Sequence, residues 1–137
     1  MLKQKLIQLL IRLYENNEYG FTYQFKHNNN EWYVKPTVKK DRYIISTKTI
    51  MTIDNNNNKK IYINDKVLQE IIDKPINEKI IIGAWLNIDN NKYEIELNLA
   101  TNNKQIALTL GKKYKQAFVY DMIKHKLIRI KRYNDGL

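Results

Sequence analysis

The chain has no cysteine, one serine, two histidines, two prolines and four glycines in 137 residues, and only four of its 24 basic residues are arginine. The missing cysteine excludes disulfides, thiolate nucleophiles and cysteine-ligated zinc, and fits an intracellular protein. Glycines scattered at positions 20, 83, 111 and 136 leave no glycine-rich loop to cradle a phosphate, so nucleotide hydrolysis is not expected. Ser46 lies outside any Gly-x-Ser-x-Gly turn. Acid–base catalysis needs a poised histidine or paired carboxylates in one pocket. His27 stands in an Asn-rich turn and His125 between Lys124 and Lys126, which reads as two loop tips. Glu94 and Glu96 share a strand face that reads as solvent-facing. No catalytic residue, metal or cofactor is expected, and the chain reads as non-enzymatic. No apolar run approaches the roughly 20 residues of a membrane helix, and Lys and Gln interrupt Met1–Ile7 too often for a signal peptide.

What the chain does contain is a globular balance, 43% hydrophobic and 28% charged, with enough length for a single domain (residues 1–137) built on one core. A net charge of +10 ordinarily points to an anionic partner. Here it arises from 20 Lys beside 18 Asn and 20 Ile, residues that accumulate together when codons drift towards A and T. Arginine is the better residue for bidentate phosphate and base contacts, and its scarcity weighs against a dedicated nucleic-acid binder.

Leucines at 2, 6, 9, 10 and 13, widened by Ile7, Ile11 and Tyr14, predict an amphipathic helix over residues 2–15 that packs on the protein's own sheet. Docking on a membrane or partner is the alternative for a basic amphipathic helix. Residues 19–63 read as hairpins. Phe21–Phe25 and Glu31–Val34 form one, with Pro36 at a strand end or edge, a strand begins at Arg42–Ser46, and Thr49–Ile53 pairs with Ile61–Ile63 across an Asn-rich tip. Asn64 or Asp65 caps a short helix over 65–73 that stops before Pro75.

Lys79–Ile88 is apolar almost throughout, as in a strand covered on both faces. Lys92–Leu99 alternates strictly, placing Tyr93, Ile95, Leu97 and Leu99 on one face. Thr101 or Asn102 caps a third helix with a stripe of Ile106, Ala107 and Leu110 that ends near Gly111, and Gln116–Tyr120 with Lys126–Ile130 forms the last hairpin. Trp32 and Trp85 are assigned to the core. The expected class is α+β, a mainly antiparallel sheet of hairpins with an N-terminal amphipathic helix and two shorter ones.

Gly83-Ala84-Trp85, Asn91-Lys92-Tyr93 with its alternating strand, Gln105-Ile106-Ala107 and Lys115-Gln116-Ala117-Phe118-Val119-Tyr120-Asp121 together resemble a C-terminal module of small tailed-phage proteins. The likeness covers about a third of the chain, within a ββαββ module at 79–132. Lys115 stands where that module often has Asn, and the alternating strand lacks its usual Asp. The resemblance implies a viral origin and a fold, and it carries over no active site.

Between Lys112 and Arg132 eight basic residues stand against Asp121 alone. Lys112, Lys113, Lys115, Lys124, Lys126, Arg129, Lys131 and Arg132, with Tyr114 and Tyr133 among them, are the candidate binding residues, the cations for steering and the aromatics for buried area. A solvated hairpin and helix end is the plainer reading. Lys126 and Ile128 alternate with Leu127 and Arg129, so the cations divide between two strand faces. Asp121, at a strand end, is expected to accept from a turn amide. The expected function is that of a phage accessory protein in the host cytoplasm. It would bind a host protein or nucleoprotein without a membrane, and inhibit a defence system such as a CRISPR effector or restriction enzyme. Nucleic-acid binding through the same basic ridge is the alternative, and a virion or oligomeric scaffold component a further one.

Overall fold

A computed structural model describes residues 1–37 and 41–130. The elements are α1 (Leu2–Asn16), β1 (Gly20–Asn28), β2 (Glu31–Pro36), β3 (Tyr43–Asp54), β4 (Ile61–Ile63), α2 (Asp65–Ile72), β5 (Ile80–Asn87), β6 (Lys92–Thr101), α3 (Lys104–Lys113), β7 (Phe118–Asp121) and β8 (Lys126–Arg129). The strands form an eight-stranded antiparallel sheet in the order β2-β1-β5-β6-β3-β7-β8, with β4 pairing β3, so the expected α+β class holds. No helix of the described residues is long and apolar enough to cross a membrane. The chain divides into two compact units, Met1–Pro36 with Lys48–Leu97, and Thr37–Thr47 with Asn98–Leu137.

In the first unit the leucine stripe of α1 does what its spacing predicts: Leu6 and Leu10 are fully buried, and Ile7, Leu9, Leu13 and Tyr14 flank them. They meet Phe21, Phe25, Ile82, Tyr93 and Ile95 from the sheet and Val67, Leu68 and Ile71 from α2. Asn64 caps α2, its side-chain oxygen accepting from the Val67 amide at 3.3 Å. The register of β1 and β5 pairs Phe21 with Ala84, Tyr23 with Ile82 and Phe25 with Ile80 on the core face. Ile81 and Gln24 are cross-strand partners on the opposite face and are also buried, as expected for a doubly covered strand. Burial also holds the Tyr93 hydroxyl well above its usual pKa, while its O–H donates to the Asn17 carbonyl at 2.7 Å.

Several expectations fail here. Trp85 is 45% exposed: Ala84 takes the core side, so strand alternation turns the indole outward, where it donates to Glu96 Oε1 at 3.1 Å. Trp32 does pack against the core, its indole donating to the Leu2 carbonyl at 2.9 Å. His27 is not a loop tip. It lies within β1, 6% exposed, its Nε2 bonded to the Lys74 carbonyl at 2.8 Å and its ring edge-on to Trp32. Arg42–Ser46 and Thr49–Ile53 are not separate strands, because β3 runs through both without a break. Glu94 and Glu96 stand on the outward face but are half-buried there, and burial, then the Glu96 charge, raises the Glu94 carboxyl above its ordinary range.

The second unit has its own core of Tyr43, Ile45, Ala107, Val119 and Ile130, flanked by Leu108, Leu110 and Ile128. Here the strict alternation of β6 fails: Asn98 is buried and Leu99 is 40% exposed. The α3 stripe is narrower than its sequence predicts. Ile106 is 51% exposed, and Ala107, Leu110 and Gly111 face inward. Asn103 is the cap, one or two residues later than expected, accepting from the Ile106 amide at 3.0 Å. Gly111 lies inside the helix because a methyl there would collide with the Ile130 side chain.

Leu10→Ala is expected to lower the unfolding free energy by about 2–5 kcal/mol in a denaturant titration, because both helices and the sheet close around that side chain. Gly20→Ala is expected to lose more than about 1 kcal/mol, since Gly20 has φ 141° and an added methyl would meet the Ala84 carbonyl oxygen. Leu99→Thr, despite its place in the alternating pattern, should change stability by less than about 0.5 kcal/mol.

Candidate functional site: a basic cleft beside the last hairpin

Antiparallel pairing of β7 with β8 matches Phe118 with Arg129, Val119 with Ile128, Tyr120 with Leu127 and Asp121 with Lys126. Cross-strand partners share a face, so Val119 and Ile128 point into the core and Phe118, Tyr120, Leu127 and Arg129 line the other side. On that side Phe118 is 43% and Leu127 57% exposed. The turn between the strands adds Ile123, 49% exposed, and exposed Lys124 and His125.

Asp121 fixes this hairpin. Its side chain is only 2% exposed and accepts four hydrogen bonds. Arg42 Nε donates to Oδ1 at 2.9 Å and Nη2 to Oδ2 at 2.8 Å, a two-pronged guanidinium–carboxylate pair, while the amides of Ile123 and Lys124 donate to Oδ1 at 3.0 and 3.2 Å. The expected turn-amide bond is therefore present, joined by an arginine 79 positions away. The Arg42 fork, with help from the two amides, outweighs burial and holds the Asp121 carboxyl well below the usual carboxylate range. Hydrogen bonding to the same carboxylate raises the Arg42 pKa. The guanidinium also sits 4.9 Å from the Tyr43 ring centre.

Around this pair opens a cleft of about 150 Å³ lined by Arg42, Asp121, Lys104, Lys124, Lys126 and Leu127, among others. Arg42 neutralises Asp121, so the three lysines leave a net positive lining. None of the three pairs with a carboxylate of the described residues. A larger groove of about 410 Å³ lies in the first unit along β3 and β4, but it is open, and its charged lining residue, Asp65, is bridged to Lys3 at 2.8 Å.

Of the sequence-predicted residues, the fold brings Lys124 and Lys126 to the cleft and Arg129 to the apolar face behind it. Lys112 and Lys113 are exposed in the last turn of α3, with Lys113 Nζ 5.6 Å from the Tyr114 ring centre. Tyr114 is the half-buried C-cap of α3, its amide bonded to the Leu110 carbonyl at 3.0 Å. Lys115 is exposed in the left-handed turn after it, φ 56°. Neither those three lysines nor Tyr114 lines the cleft. Lys131, Arg132 and Tyr133 lie outside the described residues. Sequence reasoning missed Arg42 and Lys104, which stand outside the basic run, and periodicity gave no sign that they converge with it.

The Asp121 carboxyl titrates lower in the fold than the roughly 3.9 of an unfolded chain, so its stabilisation is complete above about pH 4 and is lost as pH falls towards the depressed folded value. Asp121→Asn is expected to lower the melting temperature at pH 7 and to lack this part of the acid sensitivity. Circular-dichroism melts of both proteins between pH 2 and 7 check this. Parallel pH profiles would show that the carboxylate contributes nothing of the kind.

Comparison with known proteins finds no matching family model, no matching curated protein and no matching solved structure.

Proposed function

We propose that this chain is a non-enzymatic phage accessory protein that binds a host protein or nucleoprotein through the β7–β8 hairpin, with inhibition of a host defence complex as its role. The viral origin rests on the tailed-phage resemblance of the Gly83–Asp121 stretch. The binding surface rests on one observation: exposed Phe118, Leu127 and Ile123 share the hairpin with Lys124, Lys126 and Arg129. Aromatic and aliphatic side chains beside arginine are the composition of protein interface centres, where apolar burial supplies affinity. The surrounding lysines steer an acidic partner and raise the association rate.

The basic cleft supports a second reading, direct nucleic-acid binding. The two differ in what they lose with salt: phosphate-dominated binding weakens steeply as counterion release becomes less favourable, and an apolar interface does not.

Capture of partners from host lysate by the tagged protein, with and without nuclease, separates the readings. The expected result is a stoichiometric protein partner that survives nuclease and whose recovery falls at least tenfold with the paired substitution Phe118→Ala and Leu127→Asp. Recovery of nucleic acid, with accompanying proteins lost on nuclease treatment, would contradict it and support the second reading.

A further inference from the structure

We infer that the cleft formed by Arg42, Lys104, Lys124 and Lys126 is a site for a single phosphate group. The inference shares only the β7–β8 hairpin with the reading above and does not depend on it.

The first argument is preorganisation. Asp121 uses Arg42 Nε and one N–H of Nη2, which fixes the guanidinium plane and leaves Nη1 outside the pair. An arginine held in this way presents its remaining donors without the rotamer loss that a free side chain suffers on binding. The second argument is charge. Three lysines line the same space without a carboxylate partner among the described residues, so an entering anion does not have to break an existing ion pair. The third is size. A cleft of about 150 Å³ is smaller than the roughly 300–1,000 Å³ of pockets that enclose whole small molecules, which suits a single phosphate group. A planar carboxylate would satisfy the arginine but leave lysines on other walls unmatched, whereas tetrahedral oxygens point in several directions at once.

The phosphate can be a monoester or part of a diester, and the probes distinguish them. Calorimetric titration at constant ionic strength would use inorganic phosphate, a mononucleotide 5′-monophosphate, a dinucleotide carrying only an internal phosphodiester, and acetate. Saturable 1:1 binding of inorganic phosphate, at least tenfold tighter than acetate and weakened at least tenfold in Lys104→Gln/Lys126→Gln, is the expected result. Lys112→Gln/Lys113→Gln, outside the cleft, should bind as the parent does. Tighter binding of the monophosphate than of the dinucleotide assigns the site to a phosphate end, and the reverse order to a backbone phosphate. Binding of phosphate no tighter than acetate, or equal loss in both lysine pairs, would overturn the proposal. The titration needs no partner, so its failure leaves the hairpin interface standing. Loss of partner capture alone would leave the phosphate site standing.

Discussion

The second unit depends on a buried carboxylate that the protein's own donors must satisfy. Asp121 is almost wholly enclosed, and an ionised carboxylate there is tolerable only when paired and fully hydrogen-bonded. Four donors meet that demand: two from the Arg42 fork and two from amides of the turn that follows. Each bond constrains a different piece of chain. The amides set the turn between β7 and β8, and the guanidinium ties β7 to the strand it pairs with, where Tyr43 faces Asp121 in register. The same bonds hold Arg42 beside Lys104, Lys124 and Lys126, so the requirement that stabilises the hairpin also assembles the basic cleft.

A short antiparallel hairpin cannot hide both faces with so few residues. Val119 and Ile128 go inward to meet Ala107 and Tyr43, which obliges Phe118 and Leu127 to stand outside. Larger side chains at exposed positions add nothing to this core, and they are therefore the natural material for an interface. The proposed binding surface and the cleft lie on the same hairpin. One supplies apolar area and the other directed charge.

Much of the architecture was legible because it follows from short periods. The leucine spacing of α1, the Asn64 cap of α2 and the continuous apolar run of β5 each declare themselves within about ten residues. Where the sequence misled, a local rule was carried past its range. The alternation of β6 is perfect as text, yet its buried side changes between Leu97 and Asn98, where the strand passes from one unit's residues to the other's. Trp85 looked like core because tryptophan is large and apolar, but position on the pleat decides which way a strand residue points, and Ala84 had the inward place. His27 looked like part of a polar tip, and only the fold shows the Lys74 carbonyl that satisfies it. The candidate site was half legible. A run of lysines near the C-terminus includes Lys124 and Lys126 of the cleft, while the arginine that gives the cleft its geometry lies far upstream.

The claim on which the rest turns is that Arg42 is held in a fixed two-pronged pair on the buried Asp121 carboxylate. Nuclear magnetic resonance of the arginine Nε–H groups, followed from pH 7 down to pH 2, tests it directly. The account predicts that the Arg42 Nε–H exchanges slowly at pH 7 and keeps its chemical shift well below the pH at which ordinary aspartates protonate. A rapidly exchanging Arg42 Nε–H at neutral pH, or one whose chemical shift moves as pH falls through about 4 with ordinary carboxylates, would contradict it.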